Sequence, residues 1–179
     1  MRLGFKPTWS FDLSWHLGHP PPHEQASCSA EIRSRLSVFT VIEQRGDGFA
    51  DRLANASVDA AEAAGARPVL LIASDTPQVT ADLLTECAEA LVTTDAVFGL
   101  ACDGGWWLFG MADAAMGDIL RTVPTSRSDT GTVTLAKLRD TGIDVTLVAE
   151  LSDVDTVDDL AAVRRECPPG SRFAQAAAL

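Results

Sequence analysis

Two uninterrupted apolar runs constrain this chain more than any other feature: Pro68-Val69-Leu70-Leu71-Ile72-Ala73-Ser74 and Ala96-Val97-Phe98-Gly99-Leu100-Ala101. Neither alternates apolar with polar residues, so each reads as a strand buried on both faces, the first as a central strand. Asp75-Thr76-Pro77 breaks the first run, and Thr80 can cap a helix reaching to about residue 92. Upstream lie a short β-branched run over residues 38–42 and a turn, Gln44-Arg45-Gly46-Asp47-Gly48. Phe49, Leu53, Ala56, Ala60 and Ala63 then recur at helical spacing, with Gly65 closing the helix. Downstream, Asp103-Gly104-Gly105 is a turn and residues 106–111 resume extended. Helical stretches follow over residues 112–122 and 132–141, then a strand over 145–149. Thr156 opens a last helix whose first turn carries Asp158 and Asp159, where carboxylates suit the helix dipole. Strands alternating with helices of this length predict an α/β fold, a three-layer sandwich with a mainly parallel sheet covered on both faces.

At 179 residues the chain is long enough for one independent core. Residues 38–179 carry the regular pattern, whereas residues 1–37 show no useful periodicity and read as an irregular arm. That arm holds Trp9, Trp15 and all three histidines around Pro20-Pro21-Pro22. His16, His19 and His23 could bind a metal, but with three prolines and no regular element a solvated arm is the better reading. The balance of 14 basic and 25 acidic residues, net −11, disfavours nucleic acid and anionic membrane surfaces as partners. A nucleotide ligand stays compatible with it, because a divalent metal on carboxylates reverses the local sign. Cys28, Cys87, Cys102 and Cys167 form no C-x-x-C pair and read as buried thiols. No apolar run is long enough to span a bilayer, so a cytoplasmic location is expected.

Ligands of open α/β sheets collect beyond the carboxyl ends of the strands. Polar signals stand at four such ends: Gly46-Asp47-Gly48, Asp75, Asp103-Gly104-Gly105 and the pair Asp153/Asp155. Carboxylates converging there repel one another unless a cation or ligand donor sits among them, and hard divalent ions prefer such oxygens. The pattern therefore suits a metal-bound nucleotide diphosphate. Blander readings exist for each element. Asp75 could be a turn acid, Asp155 with Thr156 a helix cap, the two glycines a tight turn, and Trp106 with Trp107 core packing. The sequence lacks the phosphate loop G-x-x-x-x-G-K-[ST], the dinucleotide fingerprint, the hydrolase elbow and H-E-x-x-H, which disfavours those enzyme classes.

Together, Gln44-Arg45-Gly46-Asp47-Gly48, Ser74-Asp75-Thr76-Pro77-Gln78-Val79-Thr80, Asp95-Ala96-Val97-Phe98-Gly99, Asp103-Gly104-Gly105-Trp106-Trp107 and Asp153-Val154-Asp155-Thr156 resemble one family. It is the bacterial glycosyltransferase-A-like family called domain of unknown function 2064, also known as selenodomain- or radical-SAM-associated transferase. The resemblance covers residues 38–173 and implies a nucleotide-diphospho-sugar transferase fold (GT-A, Rossmann-like), with kinship to cofactor nucleotidyltransferases. It implies a magnesium or manganese ion on Asp75 and Asp155, and a base and ribose near Gly46, Asp47 and Gly48. It further implies that Gly104, Gly105 and Trp106 face the sugar or acceptor, with Asp103 as the acceptor-binding group or base.

One departure stands out. The family's basic, glycine- and proline-containing N-terminal loop, which wraps the nucleotide phosphates, has no counterpart here beyond Phe5-Lys6-Pro7, so the fold is expected to be N-terminally incomplete. An uncovered sheet edge would then be a surface for homodimerisation. The leading expectation is a metal-dependent glycosyltransferase using a nucleotide-sugar donor. The alternatives are a guanylyltransferase-like nucleotidyltransferase on a small phosphorylated acceptor, and a catalytically inactive truncated homologue with an interaction role.

Overall fold

The computed structural model describes residues 10–11 and 39–178. Apart from Ser10 and Phe11, the segment read as an irregular arm, with its histidines and Cys28, lies outside the described residues. Strand β1 (Ser10–Phe11) pairs in parallel with β2 (Thr40–Val41), Ser10 opposite Thr40, in a two-stranded ladder separate from the main sheet. The strand expected over residues 38–42 thus shortens to two exposed residues.

Helix α1 (Phe49–Ala63) forms where the apolar spacing predicted it. It ends at Gly65, φ +78°, with the Ala66 amide donating to the Ala61 carbonyl at 2.7 Å, the six-to-one bond of a Schellman cap. Strand β3 (Val69–Ile72) leads to α2 (Ala81–Ala90), whose first turn is capped as expected by the Thr80 hydroxyl accepting from the Leu83 amide at 3.1 Å. Strands β4 (Ala96–Leu100) and β5 (Trp106–Met111) follow, then a 3-10 helix (Ala114–Thr122), α3 (Thr130–Asp140) and β6 (Val145–Leu147). Two short helices, α4 (Leu160–Glu166) and α5 (Arg172–Ala176), close the chain.

The main sheet runs β3-β5-β4-β6. β5 is antiparallel to both β3 and β4, and only β4 and β6 pair in parallel, so the sheet is mixed rather than mainly parallel. The cause is the turn after β4: five residues cannot carry a crossover, so β5 folds back as a hairpin and inserts between β3 and β4. The apolar run over residues 68–74 accordingly forms an edge strand among the described residues, with only Val69 buried, and not the central strand its composition suggested. β4 and β5 occupy the centre and are almost wholly buried.

Both faces are covered. Ala96, Phe98, Phe109 and Met111 point to one side, where residues of α1, the 3-10 helix and α3 pack on them. Val97, Trp107 and Leu108 point to the other, against Cys87 of α2 and Leu91 just after it. Each fully buried aromatic contributes about 1.5–3 kcal/mol. Opposite strands stay in register until a bulge at Gly99/Leu100, where Leu100 faces Trp106 and Gly99 faces Leu108. The bulge absorbs Trp107 and turns it to the α2 side next to Leu108. Gly99 makes room for it, since a Cβ there would lie 2.4 Å from the Trp107 indole nitrogen. Among the described residues no helix is long and apolar enough to cross a membrane.

Candidate functional site

β3, β4 and β6 run in one direction, so their carboxyl ends share one edge of the sheet, which the β4–β5 turn also reaches. Each of these ends continues into a segment bearing an acid: Asp75 after β3, Asp103 after β4, and Asp153 and Asp155 in the loop after β6. The geometry brings three of them into one group. Carboxylate oxygens of Asp103, Asp153 and Asp155 lie within 4.8 Å of one another.

Local structure explains the placement. In the β4–β5 turn, the Asp103 carboxylate accepts from the Gly105 amide at 2.6 Å, which fixes its direction. Gly104 takes φ +92°, and a Cβ there would sit 1.8 Å from the Ser128 carbonyl oxygen. Only glycine passes so close to the segment leading into α3. Gly131, at the start of α3, donates to the Gly104 carbonyl at 2.8 Å and holds the turn from the other side.

The loop after β6 has little regular structure and is fastened from outside. Leu151 donates to Leu100 at 3.2 Å and accepts from Cys102 at 3.0 Å, continuing the parallel pairing past the strand end. The Trp107 indole donates to Ala149 at 2.9 Å. The Val154 amide donates to the Asp75 carbonyl at 3.0 Å, tying this loop to the one after β3. Asp159, not Asp155, serves the turn into α4: its carboxylate accepts from the Thr156 amide at 2.7 Å and hydroxyl at 2.8 Å. Asp155 is left exposed, with its carboxylate in the acidic group.

The electrostatics follow from the crowding. Asp75 keeps an exposed edge, yet partial desolvation raises its carboxyl above the usual range, and the charges of Asp155 and Asp103 raise it further. Asp153 is raised for the same reasons, burial first and then Asp103, Asp155 and Asp75. The ion pairs among the described residues lie elsewhere, Arg45 with Asp59, Arg121 with Asp51 and Asp118, and Arg127 with Asp129. Oxygen-only ligands at this spacing suit a hard divalent cation, and the residues present fit one.

The expected site residues divide accordingly. Asp155 and Asp103 meet directly, and Asp75 stands beside them. Asp153, named with Asp155 among the acids at the strand ends but not among the expected metal ligands, joins the group. Its spacing was a usable signal, because residues two apart on extended chain point to the same side. Gly104 and Gly105 shape the turn. Trp106 is half-buried in an aromatic group, its ring centroid 6.1 Å from Phe98 and 6.3 Å from Phe109. Gly46, Asp47 and Gly48 precede α1, and their described contacts run to that helix: the Asp47 amide donates to Asp51 at 3.2 Å, and Gly46, φ +128°, leaves the room that Asp51 fills. Cys87 and Cys167 are buried as expected, but Cys102 is exposed, next to Asp103 and 3.5 Å from the Ser152 hydroxyl. It lies beyond the strand end, where the sheet no longer shields it.

The fold is similar to the 1.90 Å crystal structure of a putative nucleotide-diphospho-sugar transferase from Desulfovibrio desulfuricans G20. The TM-score is 0.68 at 26% identity, over 79% of this chain and 63% of that one, so this chain spans less than two thirds of that protein's length. No match was found among curated proteins. Residues 14–127 match the family described as an uncharacterized protein conserved in bacteria (DUF2064). That stretch starts upstream of the motifs quoted above and stops before Asp153 and Asp155, but it takes in β2 to β5 with both Asp75 and Asp103, and the chain belongs to that family.

Proposed function

We propose that the chain is a divalent-metal-dependent transferase acting on a nucleotide-diphospho-sugar. The observation that carries this reading is the meeting of Asp103, Asp153 and Asp155 at the carboxyl edge of the sheet, while the ion pairs among the described residues lie elsewhere. The similarity to a nucleotide-diphospho-sugar transferase structure supports the choice of substrate class. In this reading Asp103, Asp153 and Asp155 hold magnesium or manganese, and Asp75 adds negative potential from the neighbouring loop. When bound, the ion screens the diphosphate and stabilises it as a leaving group. The protein's own part is positional: the Gly105 amide orients Asp103, and the backbone bonds of the Leu151–Val154 stretch orient the other two acids. Asp103, expected to face the acceptor, is assigned to the metal in this reading, since its carboxylate stands within the group.

The test is calorimetric titration with UDP, GDP and their sugar conjugates, with and without manganese. Metal-dependent binding that Asp155→Ala abolishes is the expected result. A folded, monodisperse sample that binds none of them would refute the reading and favour the inactive homologue. Turnover of a nucleoside triphosphate with release of pyrophosphate, rather than of a nucleotide sugar with release of nucleoside diphosphate, would assign nucleotidyl transfer.

A further inference from the structure

Gln78 lies in the segment between β3 and α2 and is 6% exposed. Its side-chain nitrogen donates to the Ser152 carbonyl, across 74 residues of sequence, and to Glu166 of α4 at 3.3 Å. Two acceptors fix which end of the amide is the nitrogen. The oxygen is then buried with no hydrogen-bond partner among the described residues. A buried, unpaired carbonyl works against folding, and a side chain that carries one is best explained by what its other end does. Here the other end grips the residue immediately before Asp153. The grip acts beside the Val154–Asp75 backbone bond, and both draw the loop carrying two acids toward the segment carrying a third. Mutual repulsion among these carboxylates pushes the other way.

We infer that Gln78 is a positioning residue that clamps the loop after β6 and thereby sets the affinity of the acidic group for a divalent cation, an inference that rests on the metal-site reading above. Gln78 touches neither ion nor substrate; it acts through Ser152. The clamp needs an N–H donor of this length, which Met lacks while filling similar space. Glu also lacks it, and brings a carboxylate against the Ser152 carbonyl and Glu166.

The experiment compares wild type, Gln78→Met and Gln78→Glu by manganese titration, by exchange of the Val154 amide hydrogen, and by melting in chelator. Outer-shell partners of metal ligands are commonly worth 10- to 100-fold in affinity, so Gln78→Met should weaken manganese binding by about tenfold or more. Val154 should exchange faster, while the metal-free melting temperature should change little, because the lost bonds to Ser152 and Glu166 are offset by removal of the unpaired oxygen. Gln78→Glu should lose more affinity still, and serves if Gln78→Met fails to fold. As a stability control, Thr134→Val removes the buried hydroxyl bond to Thr130 (2.7 Å) on α3 and should leave manganese affinity unchanged. Wild-type affinity in the folded Gln78 variants would overturn the inference and leave the transferase reading standing. So would a loss of affinity matched by Thr134→Val at equal destabilisation. Wild-type protein that binds no manganese would overturn both.

Discussion

Neutralising one acid of the cluster should stabilise the protein when no metal is present. Asp153→Asn keeps the shape and removes one charge whose oxygen lies within 4.8 Å of those of Asp103 and Asp155. At that separation a like-charge pair costs about 0.9 kcal/mol in a water-like dielectric and about 3.5 kcal/mol at an effective dielectric of about 20. Asp103 and Asp155 are exposed, so the lower figure applies; two pairs with some ionic screening come to about 1–2 kcal/mol. For a domain of this size that is a rise in melting temperature of roughly 2–8 °C at pH 7 in chelator. The pH dependence has a defined sign. Asp75 and Asp153 have folded pKa values raised above the unfolded value of about 3.9, so the folded state holds extra protons in the window between the two values. Stability therefore falls as pH rises through that window, and the advantage of Asp153→Asn is full above it and absent below about pH 3.9. Saturating manganese should reverse the order, since ligand at 100 times its dissociation constant stabilises wild type by about 2.7 kcal/mol. Thermal melts of both proteins from pH 3.5 to 8, with chelator and with manganese, provide the assay. An Asp153→Asn variant no more stable than wild type at pH 7 in chelator would refute the electrostatic reasoning.

Other perturbations separate scaffold from site. Gly104→Ala forces a side chain into φ +92° and against the Ser128 carbonyl, and should cost more than about 2 kcal/mol in urea unfolding, with poor soluble yield. Trp107→Phe loses the 2.9 Å bond to Ala149 and leaves part of a fully buried site empty; a cost of about 2–3 kcal/mol is expected by the same assay. In native protein, brief maleimide labelling read by peptide mass spectrometry should modify Cys102 well ahead of Cys87 and Cys167, whose thiols burial pushes up.

Much of the fold was legible because local signals and tertiary structure agree. The spacing of Phe49, Leu53 and Ala60 marked α1, Gly65 its end, and Thr80 the start of α2. What misled was the run over residues 68–74. An apolar strand at a sheet edge and one at its centre have the same composition, and the choice between them depends on which strand arrives beside it. The Asp103-Gly104-Gly105 turn held that information: a connection this short demands an antiparallel neighbour. That neighbour, β5, took the place beside β3 that a parallel β4 would have filled.

The site was legible in its residue types and less so in its grouping, for a related reason. Acids after strands β3, β4 and β6 announce a shared edge only once those strands are known to point the same way, which the inserted hairpin preserves. Within that edge the finer arrangement belongs to contacts remote in sequence. Trp107 reaches Ala149, Gln78 reaches Ser152, and Val154 reaches back to Asp75. Residues 150–155 have no helical or strand periodicity to read, so the triad of Asp103, Asp153 and Asp155 emerges from donors on β5 and on the segment before α2. The same dependence makes the cluster adjustable: a group of repelling carboxylates held by a few hydrogen bonds from outside will open or tighten with each of them, so cation affinity should respond to those distant donors as well as to the acids themselves.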